Sequence, residues 1–316
     1  MRVLITGAAG CLGQVLVPRL LHDARVAEVI AHDRRPLRLD HPRLRILRGD
    51  IRDSAVAQAA RGVDAAVHMA FVVMESQLGR ERRNRALAQA INLGGTKALI
   101  DALDPKARLV HVSSASVYGT SGVPLTEAAE MSPLAGFHYA QDKVLAEEVV
   151  MAAEKGGLSA LRLRPHIILG AHAQPFLRGT LRLPFYARLP PPAPPLQVVH
   201  EQDVAAAIVA GLFSEATGPL NLACEDQMSF EAMQRHLHRH AFAVRPRLAQ
   251  TAARIAFHYL GIGPDPAWAM GLDRPLVLDC SRARATLGWR PRFPKITDVL
   301  NDTFGRAAPK RDPSDT

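Results

Sequence analysis

Cysteine is scarce in this chain. Cys11, Cys224 and Cys280 are scattered over 316 residues, too few and too far apart for a disulfide framework or a zinc site. Each reads as a small buried apolar side chain, and no metal is expected. Long apolar runs are also missing. Apolar residues make up 48% of the chain, yet no stretch approaches the roughly 18 to 20 uninterrupted apolar residues of a membrane span, so no membrane partner is expected. Strand-like sequence starts at residue 2 and leaves no room for the charged and apolar regions of a signal peptide, which points to the cytoplasm. Lysine is rare: 33 of the 39 basic residues are arginine, and the formal net charge is +9. The arginines are spread along the chain, and their densest run, Gly79-Arg80-Glu81-Arg82-Arg83-Asn84-Arg85, reads as a solvated helix start or loop. No nucleic-acid partner is expected, although a basic chain attracts an anionic cofactor or substrate. No internal repeat is visible.

What is present is organised around the first strand and the loop after it. Val3-Leu4-Ile5-Thr6 is a short apolar run with the character of a buried strand. Gly7, Gly10 and Gly13 let the backbone turn sharply and come close to a ligand. Leu12, Val15, Leu16 and Leu20 then fall at helical spacing, so free N–H groups at that helix start form a seat for a pyrophosphate. Val26 to His32 reads as a second strand closing on Asp33, about twenty residues past the loop, where a carboxylate accepts hydrogen bonds from adenosine ribose hydroxyls. Asp33 favours NAD, while Arg34 and Arg35 carry charge that offsets its repulsion of a 2′-phosphate and leave NADP open.

Further strands are expected over Arg43–Leu47, Asp64–Ala70, Arg108–Val112 and Leu158–Leu163, alternating with helices near 80–103 and 137–155. That order means βαβ units and a parallel sheet covered on both faces, with ligands beyond the carboxyl ends of its strands. From Pro165 to Val199 prolines become dense, and the run from Leu189 to Leu196 reads as a stiff extended connection. Strand and helix return over Val198–Ala210. Ser281 to Leu287 reads as a short helix capped by Ser281 and stopped by Gly288, and residues 306–316 as a disordered tail.

Tyr139 and Lys143 lie four apart on an expected helix, so both side chains leave the same face one turn apart. A phenol is a poor base near neutrality. An ammonium about 4 Å away contributes roughly 4 kcal/mol at an effective dielectric near 20, or about three pKa units, enough to bring a phenolate within reach. Tyr139 then gives or takes the proton of an alcohol, and Ser114, at the carboxyl end of the fifth strand, hydrogen-bonds the same oxygen.

In this order and spacing the sequence resembles the extended short-chain dehydrogenases/reductases, the NAD-dependent epimerase/dehydratase family. Thr6-Gly7-Ala8-Ala9-Gly10-Cys11-Leu12-Gly13 matches the family's TGxxGxxG loop. Further matches are Asp33, Asp50-Ile51, His68-Met69-Ala70, Asn92, Ser113-Ser114-x-x-Val117-Tyr118-Gly119 and Tyr139-x-x-x-Lys143. Leu163-Arg164-Pro165, Val199-His200-x-x-Asp203 and Leu287-Gly288-Trp289-x-Pro291 follow. The resemblance implies an α/β fold: a Rossmann-type doubly wound parallel sheet with a smaller, mixed C-terminal substrate-binding domain. Residues 1–165 and about 198–224 form the nucleotide-binding part, and about 166–197 and 225–305 the substrate part. It implies Ser114, Tyr139 and Lys143 as the catalytic set. Gly7, Gly10, Cys11, Leu12, Gly13, Asp33, Arg34, Asp50, Ile51, Met69, Ala70, Asn92 and Pro165, with Tyr139 and Lys143, would hold NAD. A homodimer built on the helices near 80–103 and 137–155 is expected on the same ground.

Within that family, sugar 4,6-dehydratases resemble one another in carrying Asp-Glu after the catalytic serine or threonine. Here Ala115 and Ser116 stand there, which disfavours dehydration. Nucleotide-sugar epimerases often carry an arginine four before the histidine of the VHxxD segment. This chain has Leu196, with Arg178, Arg182 or Arg274 as possible substitutes. Two reactions stay open: net oxidation or reduction of a secondary alcohol or ketone on a fairly apolar small molecule, and epimerisation of a nucleotide sugar. A non-catalytic sensor of the nicotinamide pool is the reading of another class. Ser116, His166, Phe185 and Arg274 are the candidate substrate contacts, with Leu183, Tyr186 and Leu189 giving the substrate loop its apolar character. His138 and His200 read as pocket or structural histidines.

Overall fold

The structure, a computed structural model, describes residues 1–73, 84–188, 193–242, 251, 255, 268, 271 and 274–305. The strands β1 (Arg2–Thr6), β2 (Glu28–Asp33), β3 (Leu44–Arg48), β4 (Ala65–His68), β5 (Arg108–Val112) and β6 (Ser159–Pro165) lie within a residue or two of the expected segments. With a strand at Gly218–Leu222 they form a seven-stranded parallel sheet in which β1 sits between β4 and β2. The chain runs outward from β1 through β2 to β3, then returns to β4 on the other side. The order reverses between β1 and β4, which opens a crevice above their carboxyl ends.

Strand alternation decides which helices cover which face. Val3, Ile5, Val29, Ala31, Val110 and Val112 belong to one apolar cluster, and Leu4, Ile30, Ala66 and Leu109 to a second. Successive residues of one strand therefore feed opposite faces, and both faces are buried. The first cluster takes α1 (Gly13–His22) and the helix Glu201–Leu212. The second takes α2 (Ser54–Ala60) and α3 (Arg85–Ala102). The first cluster runs on without a break into the later part of the chain, through Leu196, Met233, Leu278 and Trp289.

Helix α4 (His138–Lys155) packs beside α3. A bidentate ion pair fixes that packing: Arg85 reaches Asp142 at 2.6 and 2.7 Å, and the Asn92 amide donates to the same carboxylate at 3.2 Å. One turn further on, Glu147 is fully buried between Arg164 at 2.7 Å and Arg162 at 3.2 Å. The short helix Ser281–Leu287 ends on Gly288 in the left-handed region as expected, but its cap residue is Cys280. Ser281 is already helical, and its N–H donates to Asp279. The arginine-rich run at 79–83, the prolines at 190–192, Leu189 and the tail at 306–316 lie outside the described residues.

Candidate functional site

The glycine loop is shaped by backbone contacts that a side chain would break. Gly7 has φ +80°, and a Cβ there would lie 2.7 Å from the Ala70 nitrogen. A Cβ on Gly13 would lie 2.1 Å from the Ala8 carbonyl oxygen. The N–H groups of Gly7 and Ala8 both donate to the His32 carbonyl, which ties the loop to the end of β2. Helix α1 then starts with no side-chain cap and no acidic residue in its first turn, the arrangement that leaves its amides to an anion. Asp33 is set in place by two backbone donors, Ala9 N–H at 3.0 Å and Arg35 N–H at 2.8 Å.

From this loop a cavity of about 890 Å³ runs across the carboxyl ends of the strands, a size typical of a cofactor and substrate cleft. Gly7, Gly10, Cys11, Leu12, Gly13, Asp33 and Arg34 line one end. Ile51, Met69, Ala70 and Pro165 follow. Ser114, Ser116, Tyr139, Lys143 and His166 lie where it turns apolar. Cys224 and Cys280 are buried as expected, but Cys11 is part-exposed and faces the cavity.

Of the three candidate catalytic side chains Tyr139 and Ser114 meet and Lys143 stands apart, a geometry that corrects one expectation. Tyr139 hydrogen-bonds Ser114, yet burial outweighs that bond and pushes the phenol up to about 12. The Lys143 ammonium does not press on the phenol. It donates to the Val112 carbonyl at 2.8 Å and lies 3.8 Å over the ring of Phe71, against 5.9 Å over that of Tyr139. Burial lowers Lys143 to about 7, with Glu147 and Asp142 opposing the shift. In this arrangement Tyr139 is a protonated donor at neutral pH, not a preformed phenolate. Ser116 gives Ser114 two donors, its N–H at 3.2 Å and its hydroxyl at 2.9 Å. With its acceptor sites so filled, Ser114 has its own proton to offer to Tyr139 or to an oxygen beside it.

Behind this set lies a row of polar residues in register across the sheet, Thr6 with His32 and His68, and His68 with His111. The Thr96 hydroxyl donates to the Asn92 carbonyl, so His68 Nε2–H must donate to Thr96 at 2.8 Å, and Nδ1 accepts from Thr6 at 2.7 Å. Both ring nitrogens are committed in the neutral form, in keeping with burial lowering His68 to about 3. His166 is committed likewise, donating to the Leu276 carbonyl and accepting from Ile167 N–H. Burial lowers it to about 4, so it offers the cavity a neutral ring and no acid. His200 caps Gln202 and pairs with Asp302, a structural part as expected.

Four candidates do not line the cavity. The Asp50 carboxylate is turned onto Arg52 at 2.8 and 2.9 Å, a pairing that lowers it to about 2. Asn92 is buried behind the wall, where its amide accepts from Val72 N–H and donates to the Val72 carbonyl. Phe185 sits on a short ribbon strand whose inward position is taken by Tyr186, leaving Phe185 56% exposed. Arg274 precedes a segment joined to Ser121 and Leu125 through Pro275 and Val277, and of that segment only Leu276 reaches the cavity.

Sequence reasoning missed the aromatic wall. The ring centroids of Phe71, Phe137 and Trp268 lie 5.5, 5.7 and 4.9 Å from that of Tyr139, and Phe176 adds to the group at 5.0 Å from Trp268. Phe71 and Phe137 are each within two residues of a motif and could have been found by extending it. Trp268 stands in a stretch with no motif and gave no signal. Leu177, Leu181, Leu196, Phe230 and Met233 complete the apolar end. Of Arg178, Arg182 and Arg274, the candidate diphosphate grips, none lines the cavity. Beyond Asp33, Arg34 and Arg35 at the loop end and Lys143 at the junction, the lining holds Glu201, a buried carboxylate that accepts from His172.

The model of the NAD dependent epimerase/dehydratase family matches residues 3–184. The chain belongs to that family. Over 193 residues it is 36% identical to the 3 beta-hydroxysteroid dehydrogenase/Delta 5-->4-isomerase of Mycobacterium tuberculosis, covering 56% of this chain and 50% of that protein. Over 188 residues it is 32% identical to the 2-alkyl-3-oxoalkanoate reductase of Stenotrophomonas maltophilia, covering 54% and 52%. The matched region thus spans about half the length of these curated relatives. Among solved structures, MoeE5 in complex with UDP-glucose and NAD is similar with a TM-score of 0.74 and 22% identity over 96% of this chain and 98% of that one, a likeness of fold. Among the described residues no helix is long and apolar enough to cross a membrane, and no cluster of metal-ligating side chains is present.

Proposed function

We propose that this chain is an NAD-dependent dehydrogenase/reductase that interconverts a ketone and a secondary alcohol on a bulky apolar molecule. The observation that carries the reading is the position of Tyr139: its hydroxyl meets Ser114 where the cavity changes from polar to aromatic, and among the described residues no cation lines the apolar end. A nucleotide sugar brings a diphosphate, and the carboxylate of Glu201 repels it. The two relatives named for hydroxysteroid and alkyl-oxoalkanoate chemistry support the apolar reading.

The loop fits a dinucleotide. Gly7 and Gly13 leave no room for side chains, the uncapped start of α1 would hold the pyrophosphate, and Asp33 would accept from the adenosine ribose. Arg34 and Arg35, which also line that end, keep NADP as the comparison to run. NAD, when bound, supplies the hydride acceptor or donor. The chain's own part is proton management. In reduction, the Tyr139 hydroxyl gives its proton to the carbonyl oxygen while the Ser114 hydroxyl donates a second hydrogen bond to it, and solvent water returns a proton to the tyrosinate left behind. In oxidation Tyr139 must first lose a proton held at about 12, so alcohol oxidation rises with pH while ketone reduction runs near neutrality. We assign the protein to the cytoplasm and to a homodimer through α3 and α4, which sedimentation tests.

The deciding experiment is turnover of NADH and NADPH with long-chain and polycyclic ketones beside a panel of UDP-sugars. Reduction of the ketones with cofactor exchanging freely is expected. Purification with NAD retained, and inversion of a sugar hydroxyl without net cofactor change, would replace this reading with the epimerase.

A further inference from the structure

The ribbon that carries Phe185 is built inside out. Phe185–Ala187 pairs in parallel with His240–Phe242, with Phe185 opposite His240 and Ala187 opposite Phe242. Those four side chains share one face by strand alternation, and Tyr186 and Ala241 take the other. Tyr186 is buried, while Phe185 is 56% and Phe242 47% exposed. Leu183, just before the ribbon, is 55% exposed. A ribbon over a core normally puts its apolar residues inward, and two large apolar side chains on its outer face, with exposed Leu183 two residues before it, mark a contact surface.

The charges around it select the partner. Segments 175–188 and 229–242 carry Arg178, Arg182, Arg188, Arg235 and Arg239 against one carboxylate, Glu231. Arg188 and Arg235 both lean on Glu231, at 3.9 and 3.1 Å, so the other arginines have no acidic residue within these segments to offset them. Exposed apolar tips on segments that carry five arginines against one carboxylate complement a surface with anionic headgroups over hydrocarbon. The helix Pro175–Arg182 joins this face to the cavity: Phe176, Leu177 and Leu181 line the cavity, and Arg182 and Leu183 at its end are exposed.

We propose that this face docks on an anionic lipid bilayer, lying on it without spanning it, so that apolar substrate reaches the cavity from the membrane. The substrate clause rests on the function proposed above; the docking does not, and the two are tested apart.

Flotation of the full chain with phosphatidylcholine vesicles, with and without about 30% phosphatidylglycerol, reads the docking directly. Binding to the anionic vesicles alone is expected, lost in about 0.5 M salt. Arg182→Glu with Arg239→Glu should lower the bound fraction about tenfold or more, and Phe242→Ser should lower it separately, which keeps the test intact if the double variant folds poorly. Reduction of a small water-soluble ketone should be unchanged in Phe242→Ser. No binding to anionic vesicles, or binding that survives both changes, overturns the proposal. So does a dimer that Phe242→Ser dissociates, which would make the occupant a second copy. Vesicle binding without ketone turnover would leave the docking standing and remove the function.

Discussion

The two ends of the cavity are made in different ways. At the loop end, backbone does the shaping: positive φ at Gly7, a close approach at Gly13, and two amides holding Asp33. At the far end the wall is side chain, with Phe71, Phe137, Phe176 and Trp268 brought from four separate stretches of the chain. A backbone-built site needs particular residues at particular spacings. A side-chain wall needs only apolar volume, which many residues supply, so the first end is held to one backbone shape and the second is free to vary.

The substitution expected to matter most lies at the junction. Tyr139→Phe removes the proposed proton donor, and ketone reduction should fall by about 10²- to 10⁴-fold while NADH binding, followed by its fluorescence, persists. Retained turnover would break the division at its centre. Gly13→Val should act on the loop end alone: a Cβ 2.1 Å from the Ala8 oxygen forces the loop open, costing about 2 kcal/mol or more of stability and NADH affinity together. If the melting temperature and the Kd for NADH are both unmoved, the loop is not shaped as described. Trp268→Ala should do the reverse, raising KM for a polycyclic ketone about tenfold with NADH affinity unchanged. A parallel loss of both would show that the two ends are not separable.

The loop end was legible in the sequence because its requirements are stereochemical. Glycine three times at three-residue intervals, then a carboxylate some twenty residues on, leaves few other readings, and the alternation of strands with helices gave a parallel sheet covered on both faces. Tyr139 and Lys143 were legible as a helical pair, but their coupling was not. Four-residue spacing puts both on one face; it does not say that the Val112 carbonyl and the Phe71 ring will take the ammonium first. Phe185 misled for a related reason: an apolar residue in a substrate segment points inward or outward according to strand phase, and Tyr186 holds the inward phase. Asp50 was at its motif position, with a carboxylate already claimed by Arg52, two residues away.

Smaller effects sharpen the contrast. Ser116→Ala should lower kcat about threefold to tenfold with KM little changed, since Ser114 loses one donor and with it a fixed polarity; an effect on KM alone would make Ser116 a binding residue. Acid stability reports the polar row at the boundary. The unfolded chain protonates its histidines near 6.5, whereas the folded chain holds His68 near 3 and His166 near 4. As pH falls from about 6.5 to 4 the unfolded state takes up protons that the folded state does not, so stability drops through that window. His166→Asn should shallow that slope by up to one proton, measured from urea midpoints at several pH values; an unchanged slope would mean that His166 already titrates in the folded protein.

Helix α4 has a consequence for which changes of length the chain can survive. Tyr139, Asp142, Lys143 and Glu147 belong to the cavity, the α3 ion pair, the Val112 carbonyl and the buried arginines in turn. Deleting one residue between Tyr139 and Asp142 would swing what lies on one side of the cut by about 100° relative to the other, parting the cavity side chain from three anchors at once. The loop at 120–136, which feeds this helix, is held in register only in its first part, where Ser121 and Leu125 bond to Pro275 and Val277 and Glu127 bonds to Asn221. Insertions after Glu127 should be absorbed, and those within the first three turns of α4 should not.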